Sequence, residues 1–226
     1  MYVPLFILLL LLLEITALLW LFSTIKSYQT FWATKARQPG EITYLALGDS
    51  SAQGIGATSP MRGYVGLIAK RLQWETGKKV KIINISETGI KTDDFTKRLL
   101  PKANGIKADV VTIEIGANDI KSFTAEKFSD DYAQLLPLLP DGTYVSNMPL
   151  FNSRPGSTQN AKAASKIIED QLKKYPKLHF VDLQKETADH KSIFGFAPDL
   201  FHPNNFSYTN WYQAFWSQIE KITYKR

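Results

Sequence analysis

Cysteine is absent from the 226 residues, and this absence excludes several kinds of chemistry. A disulfide framework, a thiolate zinc site, an iron–sulfur cluster and a cysteine nucleophile all require the thiol group. Histidine is scarce as well, since the chain has only three. Hydrophobic residues make up 44% of the chain and charged residues 21%, a balance typical of a folded domain rather than a disordered segment.

The charge balance is mildly positive. The chain has 27 basic and 21 acidic side chains, which give a formal net charge of +6. The basic residues are scattered rather than grouped in a stripe, so nucleic-acid binding is not indicated. A chain of 226 residues is long enough for one domain with an appendage and short for two domains.

The appendage is an apolar run at the N-terminus. Residues 5–22 contain only two polar side chains, Glu14 and Thr16. At ~1.5 Å per residue, a helix of this length reaches roughly 27 Å, close to the hydrocarbon thickness of a bilayer. A core helix that is apolar on every side needs protein all round it, which a chain of this size does not supply. We therefore predict a transmembrane helix within residues 1–22.

We expect this helix to be retained as an anchor rather than cleaved as a signal peptide. No basic side chain precedes the apolar run, and no typical cleavage site follows it. Residues 23–40 combine aromatic residues, among them Tyr28 and Trp32, with basic ones, as segments at a membrane surface do. The predicted organisation is an anchor over 1–22, a juxtamembrane linker over 23–40 and a folded domain over 41–226.

From Glu41 onward, short apolar runs alternate with amphipathic stretches. The runs predict five β-strands, over residues 42–48, 80–86, 109–116, 143–149 and 178–183. The amphipathic stretches predict helices over residues 63–76, 93–100, 124–136, 157–174 and 207–222. Strands joined through helices form parallel sheets that are covered on both faces. The predicted fold class is therefore α/β, a three-layer α/β/α domain with a five-stranded parallel sheet, preceded by one transmembrane helix.

The residues that follow these strands suggest a reactive site, because ligands bind to open parallel sheets outside the carboxyl ends of the strands. Ser50 follows the first strand, Gly89 the second and Asn118 the third, while Asp199 and His202 follow the fifth through a loop. These residue types are the components of serine acyl transfer, which needs a nucleophile, oxyanion donors, a general base and an orienting carboxylate.

His202 is the candidate base among the three histidines. His179 lies inside a predicted strand, and His190 lies in a polar loop. Only His202 has a carboxylate three residues before it, Asp199, which can reach one ring nitrogen while the other faces a serine. Asp182, at the end of the fifth strand on the same edge, is the rival for the carboxylate role, and we expect Asp199 to hold it.

A metal-dependent phosphoesterase is a competing interpretation of the same edge. Asp49, Asp119 and His202 would supply its ligands. No acidic cluster in the sequence has the spacing of a metal site, so this interpretation is the weaker one.

Four sequence blocks, taken in order, resemble those of the SGNH (GDSL-type) hydrolase family. They are GDSS at 48–51 with Gly54, then Gly89, then GAND at 116–119, then DLFHP at 199–203. The resemblance extends from about Thr43 to the C-terminus. It implies a flavodoxin-like sheet and a mechanism that needs no metal and no organic cofactor.

The same resemblance implies a role for each candidate residue. Ser50 resembles the nucleophile, and Asp199 and His202 resemble the orienting carboxylate and the base. The oxyanion hole of the family corresponds here to the backbone amides of Ser50 and Gly89 and the side-chain amide of Asn118.

We therefore expect a membrane-anchored serine ester hydrolase, similar to esterases, lipases and lysophospholipases, that acts on a small-molecule or lipid ester through an acyl-enzyme. A carbohydrate O-acetyl esterase or a thioesterase would use the same site, and an inactive membrane-tethered binding domain would keep the same blocks. Lys26, Lys35 and Arg37 favour a cytoplasmic domain by the positive-inside rule. Because an N-terminal hydrophobic segment in this family usually serves export, we expect the domain outside the cytoplasm.

Overall fold

Five parallel β-strands form the centre of the computed structural model, which describes residues 2–151, 155–192 and 194–223. The strands are β1 (Ile42–Gly48), β2 (Val80–Ser86), β3 (Val110–Glu114), β4 (Tyr144–Ser146) and β5 (His179–Val181). Their order in the sheet is β2-β1-β3-β4-β5, and each neighbouring pair is parallel. This is the strand order of flavodoxin-like doubly wound sheets. The predicted five-stranded parallel sheet is confirmed.

Helices cover both faces of this sheet, which confirms the three-layer arrangement. They are α1 (Tyr2–Lys35), α2 (Ser50–Gln53), α3 (Tyr64–Thr76), α4 (Thr92–Asp94), α5 (Ala125–Leu135), α6 (Pro155–Leu172), α7 (Leu183–Asp189) and α8 (Asn205–Thr223). The stretch predicted as one helix over 93–100 is α4 followed by a π-helical turn, Phe95–Leu99.

Two of the short helices, α2 and α7, are absent from the sequence prediction. Each begins directly after an aspartate, and the side chains of Asp49 and Asp182 accept hydrogen bonds from the backbone amides of Ser51 and Lys185. Such caps satisfy amides at a helix start that have no partner within the helix. Helices of 4 and 7 residues are too short to show a helical period in the sequence.

Strands β4 and β5 are shorter than predicted. The run 143–149 contributes three residues to the sheet, Tyr144–Ser146, and the run 178–183 contributes three, His179–Val181. The apolar residues after β4 are buried without ladder pairing, since Met148 and Phe151 pack into the core from the loop. Burial alone therefore made the run look longer than the strand.

Two apolar clusters fill the space between the sheet and its helical layers. Leu45 and Leu47 of β1 pack with α5 and α6 on one face. Tyr44 and Ala46, which alternate with them along the strand, pack with α3 and α8 on the other face. The aromatic stripe of α8, including Phe215, is buried in this second cluster, as its helical spacing predicts.

Helix α1 is continuous from Tyr2 to Lys35 and has two unlike halves. Residues 6–16 are exposed. In the described part of the chain, α1 is the helix that is long and apolar enough to cross a membrane. Farther along, Leu21, Tyr28 and Trp32 are buried against the domain.

The segment predicted as a juxtamembrane linker, residues 23–40, is therefore helical over most of its length and packs on the domain. The Tyr28 hydroxyl donates to the Ala57 carbonyl at 2.7 Å, and Trp32 Nε1 donates to the Gln53 carbonyl at 2.9 Å. The aromatic residues that suggested a membrane surface form instead one face of a helix, because side chains three and four positions apart lie on the same side.

Candidate active site

The first strand and its turn bring Ser50 to the carboxyl edge of the sheet. Gly48, the last residue of β1, has φ +152°, and a Cβ at this position would overlap the Glu114 carbonyl oxygen. Asp49 then caps α2, of which Ser50 is the first residue. The glycine and the cap together turn the chain sharply from strand to helix, so that Ser50 lies at the helix N-terminus.

The structure brings together Ser50, His202 and Asp199, which lie far apart in the sequence. His202 Nε2 lies 3.0 Å from Ser50 Oγ, and His202 Nδ1 lies 2.5 Å from an Asp199 carboxylate oxygen. The other Asp199 oxygen accepts the backbone amides of Phe201 and His202, at 3.1 and 3.0 Å. These bonds fix the carboxylate, which in turn fixes the plane of the imidazole ring.

The environment of Asp199 keeps its carboxylate charged. Partial burial acts to raise its pKa, but the hydrogen bond and the positive charge of His202, together with the two backbone amides, outweigh burial and hold the pKa below its usual range. A charged carboxylate at Nδ1 favours a proton on that nitrogen, which leaves Nε2 as the acceptor facing Ser50.

Two backbone amides, those of Ser50 and Gly89, are the candidate oxyanion donors of the main chain. Ser50 is the first residue of α2, so its N–H has no partner within the helix. Gly89 has φ +84° in the loop after β2, and no described residue lies within 4 Å of the Cβ that another residue would carry there. The space beside the Gly89 Cα is therefore open.

The side-chain amide of Asn118, the third predicted oxyanion donor, already donates hydrogen bonds to other residues of the chain. Its Nδ2 donates to an Asp49 carboxylate oxygen and to the Ile90 carbonyl, each at 3.0 Å. A carboxamide nitrogen has two hydrogens, so both are engaged in this structure. Asn118 meets an oxyanion only by sharing or exchanging one of these hydrogen bonds.

Asp49 is a buried carboxylate directly behind the nucleophile. One oxygen accepts the Ser51 amide at 2.9 Å, and the other accepts the Asn118 amide. Burial raises the pKa of Asp49 to about 6, although the Ser51 hydrogen bonds and attraction to His202 act to lower it. The sequence interpretation considered Asp49 only as a metal ligand, and the structure places it as a hydrogen-bond acceptor.

Glu114, at the end of β3, was missed by the sequence analysis. It is completely buried, next to Ser51 and Asp49. Burial first, and then repulsion from Asp49, raise the pKa of Glu114 well above its usual range, which favours the protonated carboxyl in the folded chain. The glutamate in a strand whose other residues are uncharged was the signal that could have identified it.

A close contact between two loops sets the position of His202. Gly56 has φ +93°, and a Cβ on it would overlap the Pro203 carbonyl oxygen and touch the His202 side chain. The neighbouring Ile55 carbonyl accepts the Tyr208 hydroxyl at 2.6 Å. The loop after the nucleophile is thereby held against the loop that carries the base, a contact that no sequence motif indicated.

A cleft opens beside Ser51 and His202. Its apolar lining consists of Ala117, Pro149, Leu150, Phe151, Phe196, Phe201, Pro203 and Trp211. Phe151 and Phe201 stack on each other at 5.6 Å between ring centroids and also line a second groove, which runs past Asn118. The site therefore has one largely apolar cleft on the histidine side and a further groove on the amide side.

The remaining candidates lie outside the hydrogen-bonded line from Asp199 through His202 to Ser50. Asp182 accepts Asn147 Nδ2 at 2.9 Å and caps α7, so it is engaged elsewhere than at His202. Both hydrogen-bond donors of Thr92 point to Asp119. His179 lies in β5, whereas His190 follows α7 and lines the cleft beside His202. No group of three or more His, Asp and Glu side chains in the described residues could hold a metal ion.

Comparison with known proteins relates this site to one family. The family model described as "GDSL-like Lipase/Acylhydrolase family" matches residues 46–209. A search of curated protein sequences gives no match.

Solved structures of esterases and lipases share the fold. A lipase/acylhydrolase from Enterococcus faecalis has 22% sequence identity and a TM-score of 0.66, over 80% of this chain and 96% of that one. The psychrotrophic esterase EstA from Pseudoalteromonas sp. has 20% identity and a TM-score of 0.61, over 81% and 99%. A variant of an acetyl-xylooligosaccharide esterase from Geobacillus has 19% identity and a TM-score of 0.65, over 81% and 96%. At these identities the likeness concerns the fold alone.

Proposed function

Because the chain belongs to the GDSL-like lipase/acylhydrolase family, we propose that it is a membrane-anchored serine ester hydrolase acting through an acyl-enzyme on Ser50. The observation that carries this proposal is the hydrogen-bonded line from Asp199 through His202 to Ser50, at 2.5 and 3.0 Å. These distances fit a carboxylate that orients a base and a base that takes the serine proton.

The first half of the reaction forms the acyl-enzyme. His202 Nε2 takes the proton of Ser50 Oγ as that oxygen attacks the ester carbonyl, and Asp199 stabilises the imidazolium. His202 then gives the proton to the leaving alcohol. In the second half, water attacks the acyl-enzyme and His202 repeats the two proton transfers.

The oxyanion of each tetrahedral intermediate is bound by amides. The backbone N–H groups of Ser50 and Gly89 are the direct donors, and each contributes about 3–4 kcal/mol of transition-state stabilisation in sites of this kind. Asn118 joins them by turning one amide hydrogen from its present acceptor toward the oxyanion, and the Asp49 carboxylate retains the other.

The shape of the site favours an ester with an apolar part. The cleft beside His202 has a mostly apolar surface, which binds acyl chains better than sugar hydroxyls, although polar side chains such as Thr187 and Asn210 also line it. Hydrolysis of p-nitrophenyl esters of increasing acyl length tests this directly. Higher kcat/KM for longer chains supports a lipid-like ester, and a preference for acetyl esters supports the carbohydrate O-acetyl esterase instead.

The apolar half of α1 is the proposed anchor, and we propose that the catalytic domain lies outside the cytoplasm. Residues 6–16 are exposed although all but Glu14 and Thr16 are apolar, which water disfavours and a bilayer satisfies. Protease added to intact cells should cut the domain. A domain that is cut only after lysis lies inside.

Covalent labelling decides between the hydrolase and an inactive binding domain. A fluorophosphonate probe should label the wild-type chain, and Ser50→Ala should remove both labelling and ester hydrolysis while the fold stays intact. Turnover at the wild-type rate in Ser50→Ala would exclude the proposed nucleophile.

Activity that persists in the presence of a chelator would exclude the metal-dependent phosphoesterase.

A further inference from the structure

Helix α1 meets the domain first at the edge of the sheet where the candidate catalytic residues lie. Leu21 and Ile25 pack with Ile55, five residues after Ser50, and with Ala197, two residues before Asp199. Eleven residues after Leu21, Trp32 donates to the Gln53 carbonyl and belongs to the apolar cluster that contains Tyr44 and Ala46 of β1. The chain then enters β1 at its amino end, so the second half of α1 runs from the carboxyl edge of the sheet to the amino edge.

The apolar span and the docked part of α1 overlap. The apolar run covers residues 5–22, which are only just long enough to cross a bilayer core of ~30 Å. Contact with the domain already begins near Ala17 and Leu18, which are half-buried, and Leu21 is 2% exposed. The turn that reaches the membrane boundary therefore also touches the domain, which leaves no gap between the catalytic edge and the bilayer.

Exposed apolar side chains are concentrated on the same edge. Outside α1, the described residues include five large apolar side chains that are strongly exposed: Trp74, Leu138, Phe194, Leu200 and Phe206. Three of them, at 80%, 57% and 55% exposure, lie in the segment 194–206 that carries the catalytic pair. The other two lie near the ends of helices that lead into β2 and β4, at the opposite edge of the sheet.

The three side chains on the catalytic edge, Phe194, Leu200 and Phe206, form what we call the edge patch. Asn204 ties two of them together, since its amide donates to the Phe194 carbonyl at 2.6 Å and its oxygen accepts the Phe206 amide at 3.0 Å. Leu200 has φ +54°, the left-handed region that glycine or asparagine usually fills, and its side chain is exposed all the same. Exposure of these three apolar side chains to water is unfavourable, whereas their insertion at the boundary between lipid headgroups and acyl chains is favourable.

We propose that the catalytic edge rests on the bilayer surface, with the edge patch inserted between lipid headgroups, and that the site takes its ester from the membrane rather than from bulk water. This inference rests on the proposed membrane-anchored hydrolase. The largely apolar cleft beside Ser51 and His202 then receives the acyl chain of that ester. The partner is thus a lipid surface, and the substrate class is an ester with a membrane-resident acyl chain.

The depth of the edge patch can be measured without reference to activity. Because the chain has no cysteine, single variants Leu12→Cys, Phe206→Cys and Trp74→Cys can each carry one environment-sensitive fluorophore. The full chain is reconstituted in phosphatidylcholine vesicles that contain acyl-chain nitroxide quenchers. We expect strong quenching at positions 12 and 206 and none at position 74.

The outcomes separate the anchor from the docked edge. Quenching at 12 but not at 206 overturns the edge-patch proposal and leaves the anchor in place. No quenching at 12 overturns the anchor, and with it the membrane part of both proposals. Equal quenching at 74 and 206 also overturns the proposal, since the contact would then not be specific to the catalytic edge.

Hydrolysis in the same vesicles tests the source of the substrate. Phe194→Ser/Phe206→Ser should lower hydrolysis of a long-chain ester embedded in the vesicles by roughly tenfold and leave hydrolysis of a soluble short-chain ester unchanged. The matched control, Trp74→Ser/Leu138→Ser, should change neither rate. Unchanged hydrolysis of the embedded ester in the edge variant overturns the proposal. A wild-type chain that hydrolyses neither ester overturns the proposed function instead, while the quenching result stands independently.

Discussion

The side-chain amide of Asn118 donates a 3.0 Å hydrogen bond to the carboxylate of Asp49, the residue directly before the candidate nucleophile. The two residues lie 69 positions apart, one after β1 and the other after β3. The bond therefore ties two strand ends together beneath the site. It also orients a predicted oxyanion donor through a side chain that does not itself face the substrate.

Asp49→Asn should lower kcat/KM by one to two orders of magnitude, mainly through kcat. The variant removes the charged acceptor that orients Asn118, and a misplaced oxyanion donor loses part of the stabilisation it supplies in the transition state. Steady-state kinetics on a short-chain ester measure the effect. Asp94→Asn, on an exposed residue of α4, is the control. Wild-type kcat in the Asp49 variant would show that Asn118 does not depend on this carboxylate.

Asp199→Asn should lower kcat by about four orders of magnitude, because an amide at this position no longer favours the His202 tautomer that faces Ser50. Asp182→Asn should change kcat little, since Asp182 caps α7 and binds Asn147. Kinetics of the two variants, compared on the same ester, decide between the carboxylates. A larger loss in Asp182→Asn would transfer the orienting role to that residue.

Gly56→Ala should lower kcat at least tenfold, because the added methyl group pushes the loop after Ser50 away from the Pro203 carbonyl and from His202. Gly77→Ala is the matched control. Gly77 also has a left-handed φ, +68°, but nothing lies within 4 Å of its Cβ position, so the variant carries backbone strain alone. It should lose about 1–2 kcal/mol of stability and keep its kcat. Equal kcat losses in the two variants would contradict the loop contact.

Glu114 should make the folded chain less stable as pH rises. The unfolded carboxyl loses its proton near its ordinary pKa, while the buried one keeps it because its pKa is raised well above that value. Above about pH 4.5 the folded state therefore holds more protons than the unfolded state, and stability falls by up to about 1.4 kcal/mol per pH unit until the folded pKa is reached. Asp49 acts in the same direction between its ordinary pKa and about 6.

Glu114→Gln removes this titration, so the midpoint of thermal unfolding should fall less between about pH 5 and about pH 8 than in the wild-type chain. The measurement is made on the detergent-solubilised full chain. Glu169→Gln, on an exposed residue of α6, should leave the wild-type slope unchanged. The same slope in Glu114→Gln and wild type would show that Glu114 is ionised in the folded state.

A chain that begins at Leu18 should stay folded, whereas a chain that begins at Glu41 should be markedly less stable. The longer of the two keeps Tyr28 and Trp32, and removal of a buried tryptophan side chain alone costs about 3–5 kcal/mol. Thermal unfolding measures the difference. Trp32→Ala in the longer chain should reproduce most of the loss, and Gln29→Ala, on the exposed face of α1, should not. Equal stability of the two chains would support the predicted domain boundary at residue 41.

The sheet was predictable from the sequence because buried parallel strands are continuous apolar runs, and five such runs separated by helices permit few arrangements. The positions of Ser50, Asp199 and His202 at one edge followed from the same rule, since parallel strands all end on the same side. The sequence could also have revealed the docking face of α1, because Leu21, Ile25, Tyr28 and Trp32 recur at spacings of three and four. The long apolar run over residues 5–22, which overlaps the start of this face, dominated the hydrophobic pattern and hid the helical spacing.

Other parts of the site could not be read from the sequence. The engagement of the Asn118 amide depends on which acceptors lie within 3.0 Å of it, and these come from Asp49 and Ile90 on other loops. The same holds for Gly56, which resembles any turn glycine until the Pro203 carbonyl lies against it. Contacts between loops depend on three-dimensional distances that no local period encodes.

Between residues 5 and 35, α1 contains neither glycine nor proline, and it passes into the domain without a break. A flexible segment as long as residues 23–40 would let the domain range over roughly 25 Å from its anchor. A docked helix removes that freedom. On the proposed anchor, the domain therefore moves only by lateral diffusion in the bilayer. Esters on polymers that stand away from the membrane are then out of reach, and the search for substrate becomes two-dimensional.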